Sequence, residues 1–376
     1  MFIQIIFFIL ILLVLYAYFG YPLILALFSA AGRRKRYTGD ETGETLPELT
    51  LLIAAYNEED IIEEKILNSL ELDYPADRLN LAVVSDGSTD GTDEITMKYA
   101  DRGVQLIRVK GRRGKTVARN EAVERTGSEV IVFSDANAIY RKDALIKLAR
   151  HFSDPEVGAV CGNLRLVEEG EDENLYWKYE KLIKRYEDRF HSIIGANGSI
   201  YAIRRDLYRP LPPEVDDDFI APLMAYSEGY RLVLDLEAVS IERDISSSDM
   251  HVEFQAKRRV VLRGIQSLAR VSHLLNPLRH PAISFELISH KILRWSIPFL
   301  LLAILLLNFF MPRSALYSII FFLQIIFYSA AVTGILSGFG PFYVPAYFVS
   351  TNTAVFLAVV QYLMGRRSRT WEKKRG

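Results

Sequence analysis

Leu49-Thr50-Leu51-Leu52-Ile53-Ala54-Ala55, followed at once by Tyr56-Asn57-Glu58-Glu59, decides how this chain is read. A short apolar run that breaks into polar and acidic residues reads as a buried strand whose carboxyl end meets a functional surface. The pattern recurs. Apolar residues 81–84 lead into Ser85-Asp86-Gly87-Ser88-Thr89-Asp90-Gly91-Thr92, residues 130–133 lead into Ser134-Asp135-Ala136-Asn137, and a further apolar run covers 104–109. Helix-periodic stretches at 61–70, 92–100 and 115–125 separate these runs. Strands alternating with helices predict an α/β domain built on a parallel sheet with helices on both faces. Successive strand ends in such a sheet share one crevice, so Asp86 and Asp135 are read as functional. Ser88, Asp90 and Thr92 also suit helix N-caps, and Thr92 is read as a cap.

The rest of the chain is of a different character. Its 376 residues are 50% hydrophobic and 24% charged, and the mean hydropathy of +0.11 describes a mixture of membrane and water-exposed parts. A formal net charge of -1 gives no global basic field, so nucleic acid is not an expected partner. The single cysteine, Cys161, cannot form an intrachain disulfide and excludes cysteine-cluster metal sites.

Residues 2–31 carry no charge, longer at about 1.5 Å per residue than a hydrocarbon core of about 30 Å, so a tilt or a kink is expected. Gly20 and Pro22 mark the kink site, and the following Arg33-Arg34-Lys35-Arg36 places the next residues in the cytosol by the positive-inside rule. A cleaved signal peptide would have a shorter apolar core and its basic residues first. Three further apolar stretches lie at about 292–310, 316–336 and 342–364 and lead into a tail with Arg366, Arg367, Arg369, Lys373, Lys374 and Arg375. One span before a cytosolic domain and three after it put this tail on the wrong side for its charge. Either one stretch is re-entrant or interfacial, or the tail breaks the rule; Pro341, Pro345 and Ser350-Thr351-Asn352-Thr353 make the last stretch the one expected to be irregular.

Several motifs need sorting. Gly111-Arg112-Arg113-Gly114-Lys115-Thr116 ends like a P-loop, but Val109 stands where the first glycine belongs, so the P-loop is rejected. A basic glycine-rich turn entering a helix still suits a diphosphate, through Lys115 and backbone N–H groups. Asp216-Asp217-Asp218 opens a further helix. Three buried neighbouring carboxylates repel, so one or two of them must face solvent or cap the helix. Asn197-Gly198-Ser199 matches a glycosylation sequon, discounted for a cytosolic position.

Taken together, these residues resemble the membrane-integrated family 2 glycosyltransferases, the group of the hyaluronan, chitin and cellulose synthases. The resemblance is carried by the N-terminal anchor, Ala-Tyr-Asn-Glu at 55–58 and Asp86-Gly-Ser-Thr-Asp90. It continues through Gly114-Lys115 with Arg119-Asn120, Asp135-Ala-Asn137, the stretch from Gly198 to Arg205, the pair Asp217-Asp218 and an interfacial segment before terminal spans. It implies a Rossmann-like GT-A catalytic domain, of the nucleotide-diphospho-sugar transferase type, with N-terminal and C-terminal transmembrane helices. The implied divisions are an anchor at 1–32, a cytosolic domain at 45–250, an interfacial amphipathic segment at 251–290, transmembrane segments at 291–364 and a basic tail at 365–376. It also implies that Tyr56, Glu58 and Asp86 hold the nucleoside, and that Lys115 and Asp135 hold the ribose-diphosphate end. A divalent cation, Mg2+ or Mn2+, would sit at Asp135 and Asn137. Asp218 would be the general base, since the family's base lies about eleven residues before the helix-ending glycine, here Gly229. Asp217, Gly198, Gln255, Arg258 and Arg259 would line the acceptor and diphosphate side.

The chemistry calls for the same residue types. A nucleotide-diphosphate leaving group develops negative charge that a hard cation and Lys115 can stabilise, and an acceptor hydroxyl needs a carboxylate to take its proton. One base without a carboxylate nucleophile fits inversion. Three positions depart from the family pattern. Asn137 replaces the usual metal-ligating carboxylate, so affinity should fall or another ligand must help. Gln255-Ala-Lys-Arg258-Arg259 lacks the tryptophan of the polymerising members, and Ala54 stands where many members have proline. The expected activity is inverting transfer from a nucleotide-diphosphate sugar, a UDP-sugar first, to a polysaccharide or lipid-linked glycan at the cytosolic face of the plasma membrane. The lipid bilayer and the subunits of a synthase or export complex are the further expected partners. The alternative is a catalytically weak, membrane-tethered nucleotide-sugar-binding subunit of such a complex.

Overall fold

The computed structural model describes residues 2–31, 46–167, 175–243, 250–311, 314–338 and 340–366. The cluster Arg33 to Arg36 and the tail beyond Arg366 lie outside them. The chain divides into two compact units. One is α/β, formed by described residues within Phe28–Ile245 and Ser267–Leu274; the other is helical, formed by those within Met1–Leu27, Ser246–Gln266 and Leu275–Ser368.

The α/β unit is built on one sheet of eight strands: β1 Leu49–Ala55, β2 Leu79–Ser85, β3 Val104–Arg108, β4 Val130–Asp135, β5 Ile139–Tyr140, β6 Val157–Val167, β7 Ile200–Arg204 and β8 Arg231–Arg243, in the order β3-β2-β1-β4-β7-β6-β8-β5. All seven residues of β1 are buried, as in a central strand covered on both faces. Ile62 and Ile66 of the helix Ile62–Leu70 and Leu145 and Leu148 of the helix Ala144–Ala149 join Leu51, Ile53, Val83, Val132 and Ala202 in the main core.

The parallel register pairs Ala55 with Ser85 and Ala54 with Asp135, so the three expected strand ends lie along one edge. The sheet is not parallel throughout, however. β7 runs antiparallel to β4 and pairs Ile200 with Ser134. An antiparallel strand brings its amino end to the edge where its parallel neighbours have their carboxyl ends. This reversal delivers Gly198 and Ser199 to Asp135.

Among the described residues four helices are long and apolar enough to cross a membrane by length and composition: Phe2–Ser29, Pro281–Phe309, Ala315–Ser337 and Gly340–Leu363. The irregularity expected near Gly20 takes the form of a π-helical turn at Tyr16–Gly20, and a second occupies Leu287–Ile292. The two turns are joined by a hydrogen bond between Tyr16 Oη and Ser289 Oγ at 2.9 Å. Phe7 packs with Ile304 and Met311.

The expected irregular last span is instead a continuous α-helix, Tyr343–Leu363, entered through a short 3-10 turn at Gly340–Phe342 that holds Pro341. Pro345 falls in the first helical turn, where its missing N–H is not needed. Two of the polar residues bond along the helix itself. Asn352 Nδ2 donates to the Phe348 carbonyl at 2.9 Å and Thr353 Oγ1 to that of Val349 at 2.8 Å.

Candidate active site

Two loops at the ends of β1 and β2 lock together. The Asn57 backbone, in the left-handed region at φ 53°, donates its N–H to Ser88 Oγ at 3.1 Å, and its side-chain oxygen accepts the Thr89 N–H at 2.8 Å. Thr92 does not cap the helix Thr92–Met97. Its Oγ1 accepts the Glu58 N–H at 2.8 Å and donates to Asp90 Oδ1 at 2.5 Å, and Asp90 accepts the Thr92 N–H as well. The hydroxyl thereby fixes the backbone at Glu58, a residue that is itself mostly buried.

Asp86 is buried and holds the basic glycine-rich turn. Its Oδ1 accepts the Arg113 N–H and its Oδ2 the Gly114 N–H, each at 2.8 Å. Burial raises its pKa, opposed by these two N–H groups and by the Arg112 and Arg113 charges. The approach of the two loops requires glycine, since a Cβ on Gly87 would lie 2.7 Å from the Gly111 carbonyl carbon. Arg112 lies over the Tyr56 ring, 4.4 Å from its centroid, a cation–π contact beside the turn.

From this turn the helix Lys115–Glu124 carries two cations to the strand ends. Lys115 Nζ meets Asp135 Oδ1 at 2.5 Å, and Arg119 Nη2 meets the same oxygen at 3.0 Å. Arg119 is fully buried, donates through Nη2 to the Gly198 carbonyl at 2.8 Å, and binds Asp217 Oδ2 through Nη1 at 2.5 Å. Tyr201 Oη, from β7, donates to that same Asp217 oxygen at 2.6 Å. Solvent or capping is the expected relief of the acidic run, but Asp216 at the N-cap makes no side-chain cap bond and the buried Asp217 is neutralised by partners instead. Arg119 and Lys115, with the Tyr201 hydroxyl, outweigh burial and hold Asp217 below the usual carboxylate range.

Asp218 behaves oppositely. Enclosure of its carboxyl, then repulsion from Asp216 and Asp217, pushes it up to about 7 against the pull of Lys115 and Arg119. A Cβ on Gly198 would lie 3.1 Å from Asp218 Oδ2 and 3.5 Å from Lys115 Nζ. The fold therefore gathers Lys115, Asp135, Gly198, Asp217 and Asp218, with Arg119 at their centre. Asp86 is joined to this group through Gly114, the residue before Lys115.

Among the described residues no group of three His, Cys, Asp or Glu side chains forms a metal cluster. The hard oxygens of Asp135 and of Asn137, which is exposed on the turn after β4, still suit Mg2+ or Mn2+, ions that keep most of their shell for phosphate and water. Both cationic contacts of Asp135 fall on Oδ1. Gln255, Arg258 and Arg259 lie on the helix Met250–Arg270, in the stretch that belongs to the helical unit, where Arg258 donates to Gln361 Oε1 through Nη2 at 2.8 Å and Nε at 3.1 Å. Sequence reading quoted Arg119, Arg112 and Tyr201 only inside longer motifs and gave none of them a site role. The available signal for Arg119 was its setting, one turn after Lys115 and between the small residues Ala118 and Ala122.

Residues 50–211 match the sequence model of the family described as Glycosyl transferase family 2, a segment that ends before Asp217 and Asp218. A poly-beta-1,6-N-acetyl-D-glucosamine synthase of Staphylococcus aureus is 30% identical over 159 residues, 39% of this chain and 38% of that protein. A beta-monoglucosyldiacylglycerol synthase of Synechocystis is 33% identical over 127 residues, 33% of this chain and 26% of that protein. The match thus spans well under half the length of either relative. A solved structure of the mannosyltransferase PcManGT from Pyrobaculum calidifontis, in complex with GDP-Man and Mn2+, superposes with a TM-score of 0.72 at 23% identity, covering 96% of this chain and 99% of that one, and shows the shared GT-A fold. Residues 50–211 of this chain form a glycosyl transferase family 2 domain.

Proposed function

We propose that the chain is an inverting, divalent-cation-dependent glycosyltransferase that moves a sugar from a nucleotide-diphosphate donor to a glycan or lipid-linked acceptor at the cytosolic face of the plasma membrane. The observation that carries this reading is the convergence at Gly198, where a Cβ would lie 3.1 Å from Asp218 Oδ2 and 3.5 Å from Lys115 Nζ. A base and a cation so placed serve the two ends of one displacement. Asp218 takes the proton of the attacking hydroxyl, and Lys115 meets charge developing on the departing phosphate. Asp217 is committed to Arg119 and Tyr201 and Asp135 to Lys115 and Arg119, which leaves Asp218 in this cluster to act as a base and not as one of a nucleophile pair. A single displacement inverts the anomeric centre.

Tyr56, Glu58 and Asp86 form the nucleoside side, with Arg112 against the Tyr56 ring. Asp135 and Asn137 are the residues that would hold the cation, which when bound neutralises the diphosphate. The relatives and the PcManGT complex support a nucleotide-sugar donor, and their names include both glucosaminyl and mannosyl chemistry. The four apolar helices support membrane residence. An acceptor held there suits a lipid-linked or growing glycan, and subunits of a synthase or export complex are the partners such a product requires.

The test is protein purified in detergent, supplied with UDP- and GDP-sugars in turn together with lipid-linked and oligosaccharide acceptors. Released nucleoside diphosphate and the anomeric configuration of the product are measured. One donor should give product of inverted configuration. Product of retained configuration, or tight donor binding with no transfer to any acceptor, would overturn the reading, the latter in favour of a nucleotide-sugar-binding subunit.

A further inference from the structure

We infer that Glu242, at the end of β8, supplies the carboxylate missing at Asn137 and completes the divalent-cation site with Asp135. The inference rests on the cation-dependent reading proposed above. It comes from the sheet itself. β5 pairs antiparallel with β8, Ile139 opposite Ile241 and Tyr140 opposite Ser240, which puts Glu242 across from the turn that follows Asp135. That turn is closed by the Ala138 N–H on the Asp135 carbonyl at 3.2 Å. It is fixed from beneath by buried Lys65, whose Nζ donates to the Ala138 carbonyl at 2.5 Å.

Two observations bring Glu242 to the cation position. Asn137 Nδ2 lies 3.5 Å from Glu242 Oε2 on the solvent side of the turn, where an ion can enter. Asp135 and Glu242 also flank the same turn, Ala138 bonding back to the Asp135 carbonyl while Ile139, the next residue, pairs with Ile241 beside Glu242, over the Lys65 ammonium on the Ala138 carbonyl. Mg2+ and Mn2+ favour charged oxygens, and an amide in the usual carboxylate position leaves the ion short of one negative charge. Glu242 restores that charge from a different strand, and Asn137 is left to orient it.

The experiment is titration with Mn2+ alone, with Mn2+ and UDP, and with Mn2+ and GDP, followed by loss of the free Mn2+ paramagnetic resonance signal. The wild type, Glu242→Gln, Glu242→Asp, Asn137→Ala and the double variant Asn137→Asp/Glu242→Gln are compared. Glu242→Gln should weaken Mn2+ binding about tenfold or more and more than Asn137→Ala does. The double variant should recover most of the loss, and Glu242→Asp should fall between. Circular dichroism confirms that each variant is folded, and Glu242→Asp keeps the test decisive where the glutamine variant is not. Equal Mn2+ affinity in the wild type and Glu242→Gln, or a loss confined to Asn137→Ala, overturns the inference while the cation-dependent reading stands. A wild type that binds no Mn2+ with either nucleotide overturns both.

Discussion

The guanidinium of Arg119 joins Asp217 at 2.5 Å to Asp135 at 3.0 Å, and does so with no exposure to solvent. A buried cation between two carboxylates links the end of β4 to the first turn of the helix Asp217–Ser227. It also makes two adjacent aspartates differ. Asp217 is held ionised by direct contact, and Asp218, one residue on, is left with a proton affinity suited to exchange near neutral pH.

Asp218→Asn should lower turnover by roughly 10²–10⁴-fold with donor binding nearly intact, because the amide keeps the shape but accepts no proton. In the wild type the base must be ionised, so kcat/KM should rise with pH through an acid limb near 7. Turnover against pH, together with donor affinity by calorimetry, checks both points. Wild-type turnover in Asp218→Asn with loss in Asp217→Asn would reverse the assignment.

Stability should respond to the same group. Asp218 has a folded pKa of about 7 against 3.8 in the unfolded chain, so the folded state holds its proton more tightly and loses stability as pH rises between these values. Asp218→Asn removes that penalty. Its melting temperature should equal that of the wild type near pH 4 and exceed it by a few degrees at pH 8, as read by thermal denaturation in detergent.

Arg119→Leu should destabilise the α/β unit by about 3–5 kcal/mol, because the Asp217 charge is then buried without its partner. The double variant Arg119→Leu/Asp217→Asn should recover much of the stability and none of the activity. Denaturation midpoints together with turnover separate the two effects.

Activity should disappear with EDTA and return with Mn2+ or Mg2+. Asn137→Asp should lower the metal concentration needed for half-activity, because a carboxylate offers charge where the amide offers only a dipole. Titration of metal-stripped enzyme measures this. An enzyme indifferent to EDTA would remove the cation from the mechanism.

The edge of the sheet was legible because β1, β2 and β4 announce themselves as apolar runs broken by Tyr56, Asp86 and Asp135. The direction of β7 was not, since an apolar strand reads the same from either end and its polarity is set by pairing far along the chain. Arg119 escaped for a related reason. A charged residue in a helical pattern reads as solvent-facing, and only the carboxylates at 135 and 217 explain its burial. Repulsion within Asp216-Asp217-Asp218 pointed to solvent or capping, whereas the structure buries Asp217 against a partner that only tertiary contact supplies. The last span misled because Asn352 and Thr353 look helix-breaking until their bonds to the preceding turn are seen.

The π-helical turns at Tyr16–Gly20 and Leu287–Ile292 are each equivalent to one surplus residue inside a regular helix. Deleting one residue from the first turn would therefore regularise the helix with little rotation, whereas a deletion between Phe7 and Leu15, in the regular α-helical stretch, would rotate everything before it by about 100° and carry Phe7 off the face it shares with Ile304 and Met311. The Tyr16–Ser289 bond ties that phase to the second turn. A single-residue gap is therefore absorbed at either π-helical turn, and the same gap elsewhere in these helices must be compensated.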